Sequence, residues 1–350
     1  MKAKLTVLPT LSVHPNQINV YNELNWNPSR PSKVNYLKES ENEEPVFQHL
    51  LESNRTANGN ISKIAKRKIN KAVDYLLLLT SEKKVQNRMT GRMFRFKVAF
   101  VTLTLPSAQV HDDNEIKSKC LNQFLIEIKK SYKVRLYIWR AEKQKNGNLH
   151  FHILVDRFIP HQELRDRWNR IINKLGYIDR YRQEQLKWHS EGFKVRVEML
   201  PTWSKEKQYA AYLRGQKCNW NSPNSTDVHS LYKINNVKLY ISKYMTKNES
   251  NLDELNKETK EFIEQKGRVW SSCEELMNLK GAVSLIDNEL DNELLKLRKS
   301  GKCKIIDEPY YSCVMLNDFK LSMSETPRLY KLFYQYLFQQ FMYSVHIQAF

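Results

Sequence analysis

The run LHFHILV, residues 149–155, constrains the fold of this chain more than any other segment. It follows Asn146-Gly147, a strong hairpin signal, and a second apolar run at residues 134–140 precedes that turn. Because side chains alternate between the two faces of a strand, His150 and His152 share one face. The opposite face is apolar and predicts a core: Leu149, Phe151, Ile153 and Val155. The histidine pair alone fits two metal ligands or two structural histidines.

Glu142 is the candidate third ligand, and its position depends on the hairpin register. With a two-residue loop at Asn146-Gly147, Glu142 would pair with Phe151 and point into the core. With a three-residue loop that ends in a left-handed Gly147, Glu142 lies opposite His150, and Gln144 shares that face. A glutamate buried among apolar side chains is costly, so the bulged register is favoured. Two imidazoles and a carboxylate then predict a divalent cation, Mg²⁺ or Mn²⁺, that holds a phosphate.

Residues 240–247, YISKYMTK, place two tyrosines and two lysines at helical spacing. On a helix predicted over residues 237–247 they form one stripe, and an apolar stripe adjoins it: Val237, Ile241 and Met245. Core aromatics with snorkelling lysines would give the same pattern. A phenol, with a pKa of about 10, becomes a nucleophile when nearby cations favour the phenolate. Tyr240 and Tyr244 are therefore candidate nucleophiles, and Lys243 and Lys247 are candidate assisting groups.

The excess of positive charge predicts a polyanionic partner. Lys and Arg number 57 against 38 Asp and Glu, a net charge of +19. Nucleic acid is the commonest partner for such a protein, and an anionic membrane surface is the alternative. Residues 61–77 are typical of an amphipathic helix whose cationic face either grips phosphates or is simply solvated. The basic residues of that face are Lys63, Lys66, Arg67, Lys68 and Lys71.

Cysteine usage and the termini narrow the class further. The 5 cysteines are scattered without a Cys-x-x-Cys pair, which argues against a zinc ribbon and a disulfide framework and favours a reducing compartment. Residues 1–9 lack the apolar run of a signal peptide, so we expect an intracellular protein. Polar residues interrupt the aromatic stretch 329–350, which predicts a core or partner-binding helix and no stable membrane insertion. Among the tryptophans, Trp139 and Trp188 are candidate base-stacking platforms, and Trp168 is favoured as a core residue.

The remaining patterns give a coarse map of the chain. Strands are predicted at residues 93–105, 134–140, 149–155 and 193–200, and helices at 114–131, with Ile126 facing inward, 160–175 and 205–213. Residues 1–60 are predicted to be poorly structured and 61–90 a basic helical extension. A main domain is predicted at 91–270, and a mainly helical C-terminal region of unknown role at 271–350.

Three motifs occur in the order and spacing of the HUH endonuclease superfamily. They are Phe100-Val-Thr-Leu-Thr-Leu-Pro106, Gly147-Asn-Leu-His-Phe-His152 and Tyr240-x-x-Lys-Tyr-x-x-Lys247. The paired-tyrosine form resembles the rolling-circle replication initiators of single-stranded DNA phages and plasmids. The resemblance covers roughly residues 90–270 and implies an α+β fold. In that fold a central antiparallel sheet of about five strands is flanked by helices, and the tyrosine helix faces the histidine strand.

The resemblance also implies a chemistry. His150, His152 and Glu142 would bind the metal, and a tyrosine would nick single-stranded origin DNA, leaving a 5′-phosphotyrosine and a free 3′-OH. The second tyrosine would rejoin strands. The chain has no Gly-x-x-x-x-Gly-Lys-Ser/Thr motif, so a host helicase and a host DNA polymerase would be needed, in the cytoplasm of a bacterial cell. A related transposase or plasmid relaxase, and a non-enzymatic basic nucleic-acid-binding protein, are the alternatives.

Overall fold

A computed structural model describes residues 6–25, 61–86, 91–231, 241, 244–245, 265–301, 303–316 and 326–347. The chain divides into two compact units. Residues 57–273 form one, called here the central unit. Residues 1–56 and 274–350 form the other, the terminal unit.

The described strands and helices are numbered along the chain. The strands are β1 (Thr6–His14), β2 (Gln17–Asn25), β3 (Lys83–Gln86), β4 (Met93–Phe96), β5 (Ala99–Thr104), β6 (Tyr137–Lys143), β7 (Leu149–Val155), β8 (Thr226–Ser230), β9 (Trp270–Ser272), β10 (Ala282–Leu285), β11 (Cys303–Glu308) and β12 (Tyr311–Leu316). The helices are α1 (Lys63–Leu79), α2 (Asn122–Tyr132), α3 (His161–Asn173), α4 (Tyr177–Trp188), α5 (Lys205–Lys217), α6 (Glu274–Asn278), α7 (Asn288–Lys299) and α8 (Pro327–Ile347). A helical turn (Asp113–Glu115) and a π-helical turn (Ile116–Leu121) lead directly into α2.

The central unit is built on a five-stranded sheet in the order β8-β5-β7-β6-β9. Every neighbouring pair in this sheet is antiparallel. The histidine strand β7 is central, and β8 and β9 are the two edges. The predicted α+β class, with a five-stranded antiparallel sheet flanked by helices, is confirmed.

One face of this sheet forms the main core. Phe151 and Ile153 are fully buried there and pack with side chains of α2 and α3. Trp168 on α3 is fully buried, and its Nε1 donates to the carbonyl oxygen of Thr104 at 2.8 Å. Trp168 is therefore a core residue, as the sequence favours. The prediction that Ile126 points inward is wrong, because its side chain is 52% exposed on α2.

Helix α1 covers part of the opposite face. It packs against β6, and its buried side chains lie outside the core cluster formed with α2 and α3. Ser62 caps its first turn by accepting a hydrogen bond from the amide of Ala65 at 3.1 Å. Ile69, Val73 and Leu76 are buried, which confirms the predicted amphipathic helix. The basic residues of α1 thus lie on the histidine side of the sheet.

Two predicted strands differ from the structure. Residues 193–200 form no strand, and Val197–Met199 is a 3₁₀ turn. The Gln208 side chain accepts from the amide of Arg196 at 2.8 Å and donates to its carbonyl at 3.1 Å, so one side chain meets the backbone needs that a neighbouring strand would meet. The run 93–105 is split, because β4 pairs with β3 while β5 joins the central sheet.

The terminal unit contains a second five-stranded sheet, in the order β10-β1-β2-β12-β11. The prediction that residues 1–60 are poorly structured is wrong for residues 6–25, which form the hairpin β1–β2, and residues 26–60 lie outside the described part of the chain. Pro15 lies in the turn of this hairpin, and the carbonyl of Pro9 accepts from the amide of Ile286 at 2.9 Å. Helices α7 and α8 agree with the predicted helical C-terminal region. Among the described residues, no helix is both long and apolar enough to cross a membrane.

Candidate metal centre and tyrosine site

The β6–β7 hairpin has the bulged register. Gly147 adopts a left-handed conformation, with φ 79°, and its amide donates to the carbonyl of Gln144 at 2.8 Å. The amide of Gln144 donates to the carbonyl of Asn148 at 2.9 Å, so the loop consists of residues 145–147. Glu142 consequently pairs with His150, as the bulged register predicts. A side chain at position 147 would be strained, since few residues other than glycine adopt this conformation.

Glu142, His150 and His152 converge on the face of the sheet opposite the main core. Their ligand atoms all lie within 4.8 Å of one another. The Nε2 atom of His152 is 2.9 Å from Oε1 of Glu142, and the two imidazole rings are 4.4 Å apart. Two nitrogen donors and a carboxylate oxygen in this arrangement suit a divalent cation that keeps open coordination positions.

Neighbouring polar side chains hold the two imidazoles in place. The Gln144 amide lies 3.1 Å from Nδ1 of His150, and the Thr102 hydroxyl oxygen lies 3.4 Å from Nδ1 of His152. Partners on Nδ1 fix the orientation of a ring and leave Nε2 to face a metal. Thr102 therefore has a positioning contact, a role that the sequence alone leaves open.

The electrostatics of the cluster favour the ligand forms of these groups. Burial, with a smaller effect of the His152 charge, lowers the pKa of His150 to about 4, so its imidazole is neutral at neutral pH. Burial would raise the pKa of the Glu142 carboxyl, but the hydrogen bond with His152 and the nearby positive charges outweigh burial and lower that pKa. A neutral imidazole and an ionised carboxylate are the forms that bind metals.

Arg140 joins this cluster to the tyrosine segment, and it is not among the residues that the sequence predicts. Its side chain is 1% exposed, and one terminal nitrogen donates to the backbone carbonyl of Tyr244 at 2.6 Å. The other terminal nitrogen is 3.8 Å from Oε2 of Glu142. Arg140 and Glu142 are two residues apart on β6 and share a face, which is the signal that could have identified it.

Tyr244 lies beside the candidate metal ligands. Its ring centroid is 5.6 Å from that of His152 and 5.4 Å from that of Phe100, which is buried in the sheet. Ile241 and Met245 are fully buried, which confirms the predicted apolar stripe at those two positions. The other predicted residues of this segment lie outside the described residues: Tyr240, Lys243 and Lys247.

The edge strand β8 adds a second pair of polar residues to this face, and the sequence patterns predict no strand there. Asp227 pairs with Thr102, and His229 pairs with Phe100. The His229 ring stacks on Phe100 at 5.5 Å, and its Nδ1 is 3.3 Å from a carboxylate oxygen of Asp227. Short, weakly apolar edge strands such as TDVHS give little periodic signal.

The predicted phosphate-binding residues lie on helix α1. Lys63, Arg67 and Lys68 are exposed, and Lys66 and Lys71 are half-buried. The first turn of this helix contains no acidic residue. The row forms a cationic surface on the side of the sheet that holds the candidate metal centre.

Comparison with known proteins places part of the chain in a family. Residues 98–249 match the model of a family described as replication-associated protein ORF2. The match spans less than half of the chain and includes the sheet strands β5 to β8 and the tyrosine segment. Searches of curated proteins and of solved structures found no significant match. The predicted resemblance to replication initiators is confirmed over the matched residues.

Proposed function

Starting from the replication-associated family of residues 98–249, we propose that this protein initiates rolling-circle replication by nicking single-stranded origin DNA with a tyrosine. The observation that supports this most is the contact of the Tyr244 ring with His152, one of three clustered candidate ligands. A nucleic-acid binder that does no chemistry has no need for a phenol next to such a cluster.

The proposed reaction exchanges one phosphodiester bond for another. The Tyr244 phenol loses its proton to water, and its oxygen attacks the scissile phosphorus. The bond to the 3′ oxygen breaks, and that oxygen takes a proton to become a free 3′-OH, while the 5′ phosphate stays on the tyrosine. Mg²⁺ or Mn²⁺ held by Glu142, His150 and His152 would supply Lewis-acid polarisation of the phosphate.

The protein groups of the site position the nucleophile and the ligands. Arg140 holds the backbone of Tyr244 and stands beside Glu142, so it couples the tyrosine segment to the metal-binding strand. Tyr240 is proposed as the second nucleophile, which attacks the regenerated junction and releases a circle. Lys243 and Lys247 are proposed to favour the phenolate or to neutralise phosphate charge. These three roles rest on helical spacing in the sequence.

The partners follow from the same proposal. Single-stranded origin DNA is the substrate, and the cationic row on α1 would bind its backbone independently of sequence. A host helicase would unwind the template, and a host DNA polymerase would extend the 3′-OH.

Covalent trapping tests the proposal. The protein is incubated with labelled single-stranded circular DNA that includes the element's own origin, with Mn²⁺, with Mg²⁺ or with a chelator, and the attachment residue is mapped by mass spectrometry. We expect a metal-dependent adduct on Tyr244 or Tyr240, with loss of each adduct in the corresponding Phe variant. Tyr310→Phe is the matched control, because Tyr310 is 87% exposed in the terminal unit. Tight binding without any adduct would favour the non-enzymatic alternative.

A further inference from the structure

The segment 177–220 contains an aromatic cluster that the proposed chemistry does not use. It comprises α4, α5 and the irregular chain between them, and it lies between α3 and β8 in sequence. Tyr212 of α5 connects the rings into one group, because it contacts His189 and Phe193 of the intervening chain and also Trp220.

The inner part of this group is a small core. Trp220 is 9% exposed, and its ring stacks on that of His189 at 5.9 Å. Gly215 on α5 makes room for this tryptophan, because a Cβ atom there would lie 2.2 Å from the indole nitrogen. The cluster thus has its own support and does not need its outermost rings for packing.

The outer part leaves two large rings in solvent. Tyr209 is 48% exposed, although its ring lies 5.1 Å from that of Phe193. Trp188 is 37% exposed, and the Arg196 guanidinium lies 4.8 Å from its ring centroid. The chain 193–196 contacts both rings, so the two exposed rings lie along one continuous surface, called here the ring surface.

The charge around the ring surface is positive. Residues 177–220 contain nine Lys or Arg and five Asp or Glu, an excess of four positive charges. Lys187 and Lys194 are exposed close to Trp188 in sequence. Exposed aromatic rings interleaved with cationic side chains are what single-stranded nucleic acids bind, because each base stacks on a ring while cations contact the phosphates.

We propose that the ring surface is a second DNA-binding site, which stacks unpaired bases of single-stranded DNA on Trp188 and Tyr209. The ligand class is taken from the proposed function, so the inference rests on it, but binding here requires no cleavage. The site is separate from the candidate metal centre and independent of base identity, because every base has a face that can stack.

Binding measured in chelator tests this site without nicking. Affinity for oligothymidine is compared with affinity for an abasic strand of the same length and charge, by fluorescence anisotropy. We expect Trp188→Ala and Tyr209→Ala each to weaken oligothymidine binding roughly 5- to 100-fold, to leave abasic binding unchanged and to leave the salt dependence unchanged. Tyr209→Phe, which keeps the ring, should bind oligothymidine as the wild type does.

Two controls separate the outcomes. Tyr310→Ala removes an exposed tyrosine elsewhere and should have no effect, and circular dichroism checks that each variant is folded. Folded Trp188→Ala and Tyr209→Ala variants that bind oligothymidine like the wild type would overturn the site, even if tyrosine adducts form. Loss of oligothymidine preference in these variants, in a protein that forms no adduct, would support the site and refute the proposed nicking. Self-association that the same variants abolish, with unchanged DNA binding, would identify a protein interface instead.

Discussion

The two faces of the central sheet are made by the same strands but do different work. On one face Phe151 and Ile153 are fully buried with Trp168 and contribute apolar contacts. On the other, Glu142 and His150 lie side by side, half-buried, with pKa values displaced from their usual range. Ionisable groups packed together in this way are poor contributors to stability and typical of functional sites. The difference indicates that stability and chemistry are divided between the faces, and it can be tested by substitutions on each.

The largest effect is expected for His150→Ala. Nicking should fall on the order of 10³-fold, the size of effect seen when one electrostatic group of an active site is removed. The free energy of unfolding should change by about 1 kcal/mol or less, because a half-buried neutral imidazole contributes little packing. Adduct formation and urea unfolding measure the two quantities. His161→Ala, on α3, is the matched control, and a large loss of stability in His150→Ala would show that the histidine is structural.

The reverse pattern is expected for Trp168→Ala. Removing this fully buried ring should lower the free energy of unfolding by about 3–5 kcal/mol, through lost transfer energy and a cavity. The affinity of the folded fraction for Mn²⁺ should stay unchanged. Ile126→Ala, at an exposed position on α2, should change stability by about 0.5 kcal/mol or less. If Trp168→Ala were as stable as this control, the core assignment of its face would fail.

A smaller effect is expected for Arg140→Lys, which tests the link between β6 and the tyrosine segment. A lysine cannot reach the Tyr244 carbonyl and Glu142 with two separate donors, so the maximal nicking rate should fall roughly 10- to 100-fold. Since Arg140 touches neither DNA nor metal in the proposed reaction, KM for DNA and the affinity for Mn²⁺ should stay near the wild-type values. Arg135→Lys, at an exposed position, is the control. A change in KM alone would assign Arg140 to DNA binding.

The smallest effect concerns pH and metal-free protein. The folded-state pKa of His150, about 4, lies below its usual value, so the unfolded chain binds this proton more readily. The stability that results is complete above about pH 6.5 and is lost as the pH falls towards 4. Urea unfolding at pH 7 and pH 5 should therefore show a larger loss for the wild type than for His150→Ala. An equal loss in both proteins would contradict the low pKa.

How far the sequence predicts the site depends on how local its determinants are. The pairing of Glu142 with His150 follows from one glycine in a three-residue loop, so the sequence predicts it. The role of Arg140 depends on Tyr244, which lies far away in sequence, and no local pattern connects the two. The strand β1 escapes prediction for the same reason: it pairs with β10, near the other end of the chain. Residues 193–200 are misassigned because Gln208 replaces the strand partner that their apolar pattern suggests.

The position of Tyr244 between β8 and β9 has a mechanical consequence. These two strands are the opposite edges of the sheet, and the chain that contains Tyr244 runs from one to the other. In the proposed intermediate, tension on a DNA end attached to this tyrosine would pass to both edge strands. The central strand β7, with His150 and His152, would carry little of that load. The candidate metal ligands could then keep their geometry while a polymerase pulls the tethered strand.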